Sequence, residues 1–427
     1  MKLRQIRYVL PLLAFLAASS YGCSNKIENN PSDTGNQLSA TNVKENVSNS
    51  ESNNKEEASI ENNPSGTDNP HSATSVKENV SNSESNNKEE ASSEKFLSFS
   101  VLDESAKTCS VAGFKEDSTG GEPTDVVIPS AHDGYKVISI GDYAFWNKKI
   151  KSIKRQEGVE TIGENAFTGC DNLSSVTLPS TITSLGRSSF SQCSSLAEIS
   201  LPSSLESIGK WCFSYCSSLS SIAIPDKVKT IEEHTFEECL SLQNVTFGKG
   251  VETIGESAFY KNGIESLTLP GNIKTISARA FEKCESLTGV EFSQGLTTLG
   301  SLAFLNCSSL QEVVLPDSLT EFVSGSSSFG SGSQFEGCSS LSIVSLGKKM
   351  TTIPEERFRE CVKLTKIYIP ASVQKLEYHS LGYPTSVKDI YYGGSESQWN
   401  KVEIGEYDKN DITSSATIHY NSTGLPE

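Results

Sequence analysis

The chain has 427 residues and a formal net charge of −17 at pH 7, with 53 Asp and Glu against 36 Lys and Arg. That length would allow two or three ordinary domains, so internal repetition has to be tested first. The acidic balance, with no Lys/Arg run and no RNA-binding aromatic motif, excludes nucleic acid as a partner.

Lys2, Arg4 and Arg7 precede an apolar stretch from Tyr8 to Ala18, and small residues then lead to Cys23. This is the order of an export signal, and the stretch is too short for a comfortable membrane span. The run Ser20, Tyr21, Gly22, Cys23 resembles a lipobox, with Ser20 where Leu is usual. The resemblance implies that residues 1–22 are a signal peptide and that Cys23 carries lipid, which ties the protein to a membrane; several acyl chains hold firmly where one holds marginally. A plain secretory signal with an incidental cysteine is the alternative. Ser24, which is not acidic, favours the outer membrane and the cell surface.

Residues 23–95 read as a disordered acidic tether. Asn, Ser, Glu and Lys dominate and aromatics are absent. A block beginning at Asn42 is nearly repeated from Ser75. Such a composition cannot bury enough apolar surface to offset chain entropy. As a flexible coil it spans on the order of 45 Å.

After a leading segment at 96–136, one pattern recurs over 137–377. Its marker aromatics are Phe145, Phe167, Phe190, Phe213, Phe236, Phe259, Phe281, Phe304, Phe335 and Phe358, spaced by 22 or 23 residues with one interval of 31. A unit this small cannot bury its own apolar side chains and must stack on its neighbours as one coil of a solenoid. Within a unit, Val176 and Leu178 alternate with Ser175 and Thr177, the period of a half-buried strand that Pro179 ends. A second short strand carries Ile182 and Leu185, Gly186 permits a turn, and about one helical turn is expected to deliver Phe190 to the core.

The unit L-x-x-V-x-L-P-x-x-I-x-x-L-G-x-x-x-F-x-x-C resembles the leucine-rich repeat of BspA-like bacterial surface proteins, the type also found in treponemal surface proteins. Val126 to Phe145 is similar to that family's leading segment, and Asp389 to Tyr420 to its closing segment, so 378–427 is expected to form a C-terminal cap. The fold implied is a β-rich leucine-rich-repeat solenoid. Its first strands would line the concave face of a curved right-handed superhelix, with short second strands and helical turns on the other side. The function implied is adhesion, to host extracellular-matrix or cell-surface proteins or to a surface protein of another bacterium. A scaffolding lipoprotein inside the envelope is the alternative from a different class.

Eight of the eleven cysteines follow a marker Phe by three residues, from Cys170 to Cys361. One thiol per coil runs along the stack and does not converge on a metal. Adjacent coils lie close enough for disulfides, but parallel side chains and the break at Asn262 favour small buried thiols. Cys212 and Cys109 have the same reading. No catalytic constellation is present, the five histidines are scattered, and no cofactor or metal is expected. Asp408, Asn410 and Asp411 lack the glycine and terminal Glu of a calcium loop and read as a solvated turn.

The outward first-strand residues are mostly small and polar, as at Ser175, Thr177, Ser221 and Ala223. The last three coils differ. Val314, Ile343 and Tyr368 predict an apolar, partly aromatic patch, with Lys366 beside it as a further candidate binding residue. The 31-residue interval adds eight residues within Val323–Gln334, a Gly/Ser-rich insertion in which Phe329 is a candidate anchor and a tolerated loop the alternative.

Overall fold

A computed structural model describes residues 93–116, 121–155, 157–323, 332–382, 386–406, 409, 412 and 415–426. Cys23, the tether up to residue 92, Phe329, Asp408, Asn410 and Asp411 lie outside them. The described chain is a β-solenoid with almost no helix. Most coils contribute a first strand, such as Ser221–Ala223, and a second, such as Thr230–Ile231. Both pair in parallel with their equivalents in the next coil.

The core explains the period. Ten marker phenylalanines are fully buried and stack in one column, with centroids 5.2 to 5.9 Å apart and planes within 14°. Phe114 closes the N-terminal end of the column by meeting Phe145 edge-on at 5.1 Å. The 22- and 23-residue spacings therefore return the chain to the same point one strand separation further on.

The segment around each Phe is not helical, contrary to the sequence expectation. Around Phe190, Ser189, Ser191 and Cys193 donate backwards within the turn, to Gly186, Ser188 and Phe190. Ser188, Phe190 and Gln192 instead donate forwards, to Lys210, Cys212 and Ser214 of the next coil at 2.8 to 2.9 Å. A helix would direct every N–H back along its own axis and leave the stack without this third ladder. The alternation needs left-handed residues two before and two after the Phe. Ser188 and Gln192 have φ of 51° and 61°, and Trp211 and Tyr215 repeat this at 56° and 61°. Gly186 was expected to serve the turn through its backbone freedom. Its role is close approach, since an added Cβ would sit 2.6 Å from the Gly163 backbone.

The ladders continue beyond the marked repeats. At the C-terminal end the first-strand sheet takes in Asp389–Tyr392 and then Thr417–His419. At the other end Thr108–Phe114 pairs in parallel with Tyr135–Ile140, and the antiparallel strand Leu97–Asp103 covers its outer edge.

Candidate interaction surface

The cysteine column is structural. Each repeat thiol approaches the carbonyl of the preceding coil's marker Phe, as in Cys193 to Phe167 at 3.3 Å and Cys216 to Phe190 at 3.2 Å. Where the column lacks a cysteine, Asn262 supplies its amide Nδ2 to Phe236 at 2.8 Å. The apparent interruption thus keeps the donor and changes its chemistry. All described cysteines are free and buried. Burial pushes the Cys284 and Cys338 thiols up to about 12, the opposite of what a nucleophile or metal ligand needs.

The register places the predicted surface residues in two outward rows of the first-strand sheet. One row runs Gly289, Glu312, Ile343, Lys366, Asp389, and the other Glu291, Val314, Ser345, Tyr368, Tyr391, His419. Val314 is 51 % exposed, Ile343 and Lys366 are half-buried, and Tyr368 is only 5 % exposed. An outward register therefore does not expose Tyr368. Its hydroxyl lies over Gly393, where an added Cβ would come within 2.9 Å of it. Burial raises its phenol, and the Asp317 carboxylate adds to the rise.

Sequence reasoning missed two residues of this row. Tyr391 stacks on His419 with centroids 4.5 Å apart, and His419 Nε2 lies 2.8 Å from Asp389. The signal was present: Asp389–Tyr392 reads D-I-Y-Y beside K-I-Y-I of Lys366–Ile369, so the cap strand aligns with the repeat.

Next to Val314 the sheet holds a groove of about 670 Å³. It spans the strands Ser266–Thr268, Gly289–Glu291 and Glu312–Val314. The strand Gly289–Glu291 has no outward side chain at its first position, and an added Cβ there would meet nothing within 4 Å. Val290 beneath is half-buried, whereas Leu267 and Val313 on either side are buried. Glu291 and Glu312 stand at the rim beside Gln294 and Gln311. The N-terminal side of the groove is also where the first-strand ladder breaks, since Asn244–Thr246 and Ser266–Thr268 belong to different sheets. The interval from Phe259 to Phe281 is one residue shorter than the one before it, with Asn262-Gly263-Ile264 in place of Cys239-Leu240-Ser241-Leu242.

The insertion roots on another side of the coil. Val323 ends the second-strand segment and donates to Leu299 at 3.2 Å, so this root and Val314 do not share a sheet. Gln334 Nε2 donates to Val323 O at 2.8 Å, and Arg357 Nη1 donates to Gly332 O at 3.0 Å and to Gln334 Oε1 at 2.9 Å. Gln334 and Arg357 stand where other coils carry Ala, Ser, Thr or Cys, and together they pin both roots from within the core.

The model for the BspA type leucine rich repeat region matches residues 138–262, 212–333, 252–388 and 327–414. The chain belongs to the BspA-type leucine-rich-repeat family. Among solved structures, this BspA-type chain is similar to a leucine rich cell surface protein from Faecalibacterium prausnitzii A2-165. The two are 26 % identical, covering 72 % of this chain and 96 % of that one, with a TM-score of 0.45. It is also similar to a leucine-rich repeat protein from Bacteroides ovatus ATCC 8483, at 23 % identity over 75 % and 98 % of the two chains and a TM-score of 0.41. A third is the T. pallidum leucine rich repeat protein, at 26 % identity over 51 % and 88 % and a TM-score of 0.38. No curated protein matches the chain. Among the described residues, no helix is long and apolar enough to cross a membrane, and no group of three or more His, Cys, Asp or Glu is placed to hold a metal ion.

Proposed function

We propose that this BspA-type protein is a non-catalytic adhesin, anchored at the bacterial surface through lipid on Cys23. Its first-strand sheet would hold a host matrix or cell-surface protein, or a surface protein of another bacterium. Family membership supports a protein-binding role. The observation that carries the reading is the groove beside exposed Val314, which lies where the mostly small polar residues of the preceding coils end and supplies the apolar contact that binding centres use. Ile343 and Lys366 extend the contact, and Tyr368 borders it.

Cells carrying Val314→Asp with Ile343→Asp are expected to attach to immobilised matrix proteins and to partner bacteria several-fold less than wild type, at unchanged protein level. Undiminished attachment refutes the role of this face. Protease treatment of intact cells tests the location. A surface adhesin is shaved, whereas full protection supports the scaffold inside the envelope. Cys23→Ser is expected to release the protein into the medium, and retention would refute the lipid anchor.

A further inference from the structure

We propose that the groove over Gly289 seats an arginine side chain from an extended segment of the partner protein. This rests on the protein-binding reading of the first-strand sheet and assigns the chemistry of what is bound. The space is specific to this coil: the same row holds Ser175, Glu198, Ser221, Asn244 and Ser266 in the preceding coils and Glu312, Ile343 and Lys366 in those that follow. Three strands at the usual spacing give a groove about 10 Å across, wide enough for one side chain with its flanking backbone.

The floor is apolar, with Leu267 and Val290 beneath and Val314 at the wall, which suits an aliphatic stem. The rim is anionic. Glu312 pairs in register with Gly289. Glu291 follows one residue after the half-buried Val290 and accepts a 3.3 Å bond from Thr268. Neither carboxylate forms an ion pair with a described residue. A bound cation would therefore meet two carboxylates whose charge is not already matched, in a protein whose overall charge of −17 draws cationic segments toward it.

Arginine fits better than lysine. Its planar guanidinium presents several donors at once, bridges separated carboxylates, and is the more weakly hydrated cation to bring into a half-enclosed site. The Gln311 amide adds an acceptor at the same rim, while Gln294 Oε1 already accepts the Asp317 N–H at 3.2 Å. An acidic peptide or a phosphate is repelled by the same geometry.

The test uses the full-length protein and a capped, fluorescein-labelled peptide, Val-Thr-Arg-Val-Thr, with a citrulline analogue that keeps the shape and removes the charge. Gly289→Val places a branched side chain in the groove without altering charge. The position is not in the left-handed backbone region and the added Cβ meets nothing, so the fold is retained, which a thermal melt verifies. Saturable binding of the arginine peptide is expected, weaker by about tenfold or more for the citrulline analogue, for Gly289→Val and for Glu312→Gln. Glu198→Gln, a charge change elsewhere on the same face, should leave it unchanged.

Four results would overturn the inference: no binding of the arginine peptide, equal binding of both peptides, wild-type affinity in Gly289→Val, or an equal loss in Glu198→Gln. Cell attachment separates the two levels. If Val314→Asp abolishes attachment while Gly289→Val leaves it intact, the groove assignment fails and the adhesive face stands. If both variants attach normally, the adhesive face itself fails.

Discussion

The buried thiols make the solenoid sensitive to alkali. Cys284 and Cys338 are held by burial near 12, against an ordinary value of 9.0. Below pH 9 both folded and unfolded chains keep these protons. As pH rises above 9 the unfolded thiols ionise while the folded ones do not, so the unfolded state binds fewer protons and stability is lost progressively up to about 12. At pH 10 each thiol contributes a loss of about 1.4 kcal/mol, and the pair about 3 kcal/mol. The double variant Cys284→Ala, Cys338→Ala removes that dependence. It also carries a cost independent of pH, from the lost sulfur packing and the lost contacts to the carbonyls of Phe259 and Phe304 at 3.2 Å. The comparison is therefore one of slopes. Urea unfolding in reductant at pH 8 and pH 10, followed by tryptophan fluorescence, should show wild type losing about 3 kcal/mol more than the variant between the two conditions. Equal losses would refute the claim that these thiols stay protonated inside the stack.

Phe213→Ala removes a ring stacked at 5.6 Å on Phe190 and 5.5 Å on Phe236. It should cost about 3–5 kcal/mol, with hydrogen exchange rising in the adjoining coils and not at Phe335 and beyond. Asn262→Ala leaves the buried Phe236 carbonyl without its 2.8 Å donor and should cost about 1–3 kcal/mol by urea unfolding. The loss falls toward the lower figure because the buried Asn262 Oδ1, which has no partner, is removed with it. Arg357→Met withdraws the charged donor from Gly332 O and Gln334 Oε1 and should cost about 3 kcal/mol. Exchange should increase around Val323 and Gln334, and a loss spread evenly over the solenoid would contradict the pinning role.

The core was legible because every coil repeats it. Phe, Leu and Ile recur at positions that only stacking can bury, so the period alone identified the ten rings and the inward residues of both strands. The turns were not legible. Nothing local in Ser188, Trp211 or His234 favours a left-handed backbone, and the ladder to the next coil imposes it. Tyr368 failed for a related reason. Alternation along its strand gave the side correctly, but exposure depended on Gly393 in the cap, whose register had not been read against the repeat. Val314 is exposed because its row neighbours, Glu291 and Ser345, are not large apolar residues that would cover it. The groove was half visible: Gly289 stands among the outward residues, but its depth depends on the neighbouring strands.

In a stack whose coils touch only their neighbours, the demands of folding and of recognition fall on different positions. The glycines make the separation concrete. Gly186, Gly209 and Gly300 pack directly on the preceding coil, because an added Cβ would lie 2.5 to 2.6 Å from its backbone. Gly289 is under no such demand. It lies within a strand, where glycine costs roughly 0.5–1 kcal/mol relative to alanine, and nothing within 4 Å requires the side chain to be missing. A β-branched residue there would suit the strand better. The fold gains nothing from this glycine, so its consequence lies in the space it leaves, between two carboxylates and above an apolar floor. Stability and binding should therefore respond oppositely to Gly289→Val, with the solenoid no less stable and the groove obstructed.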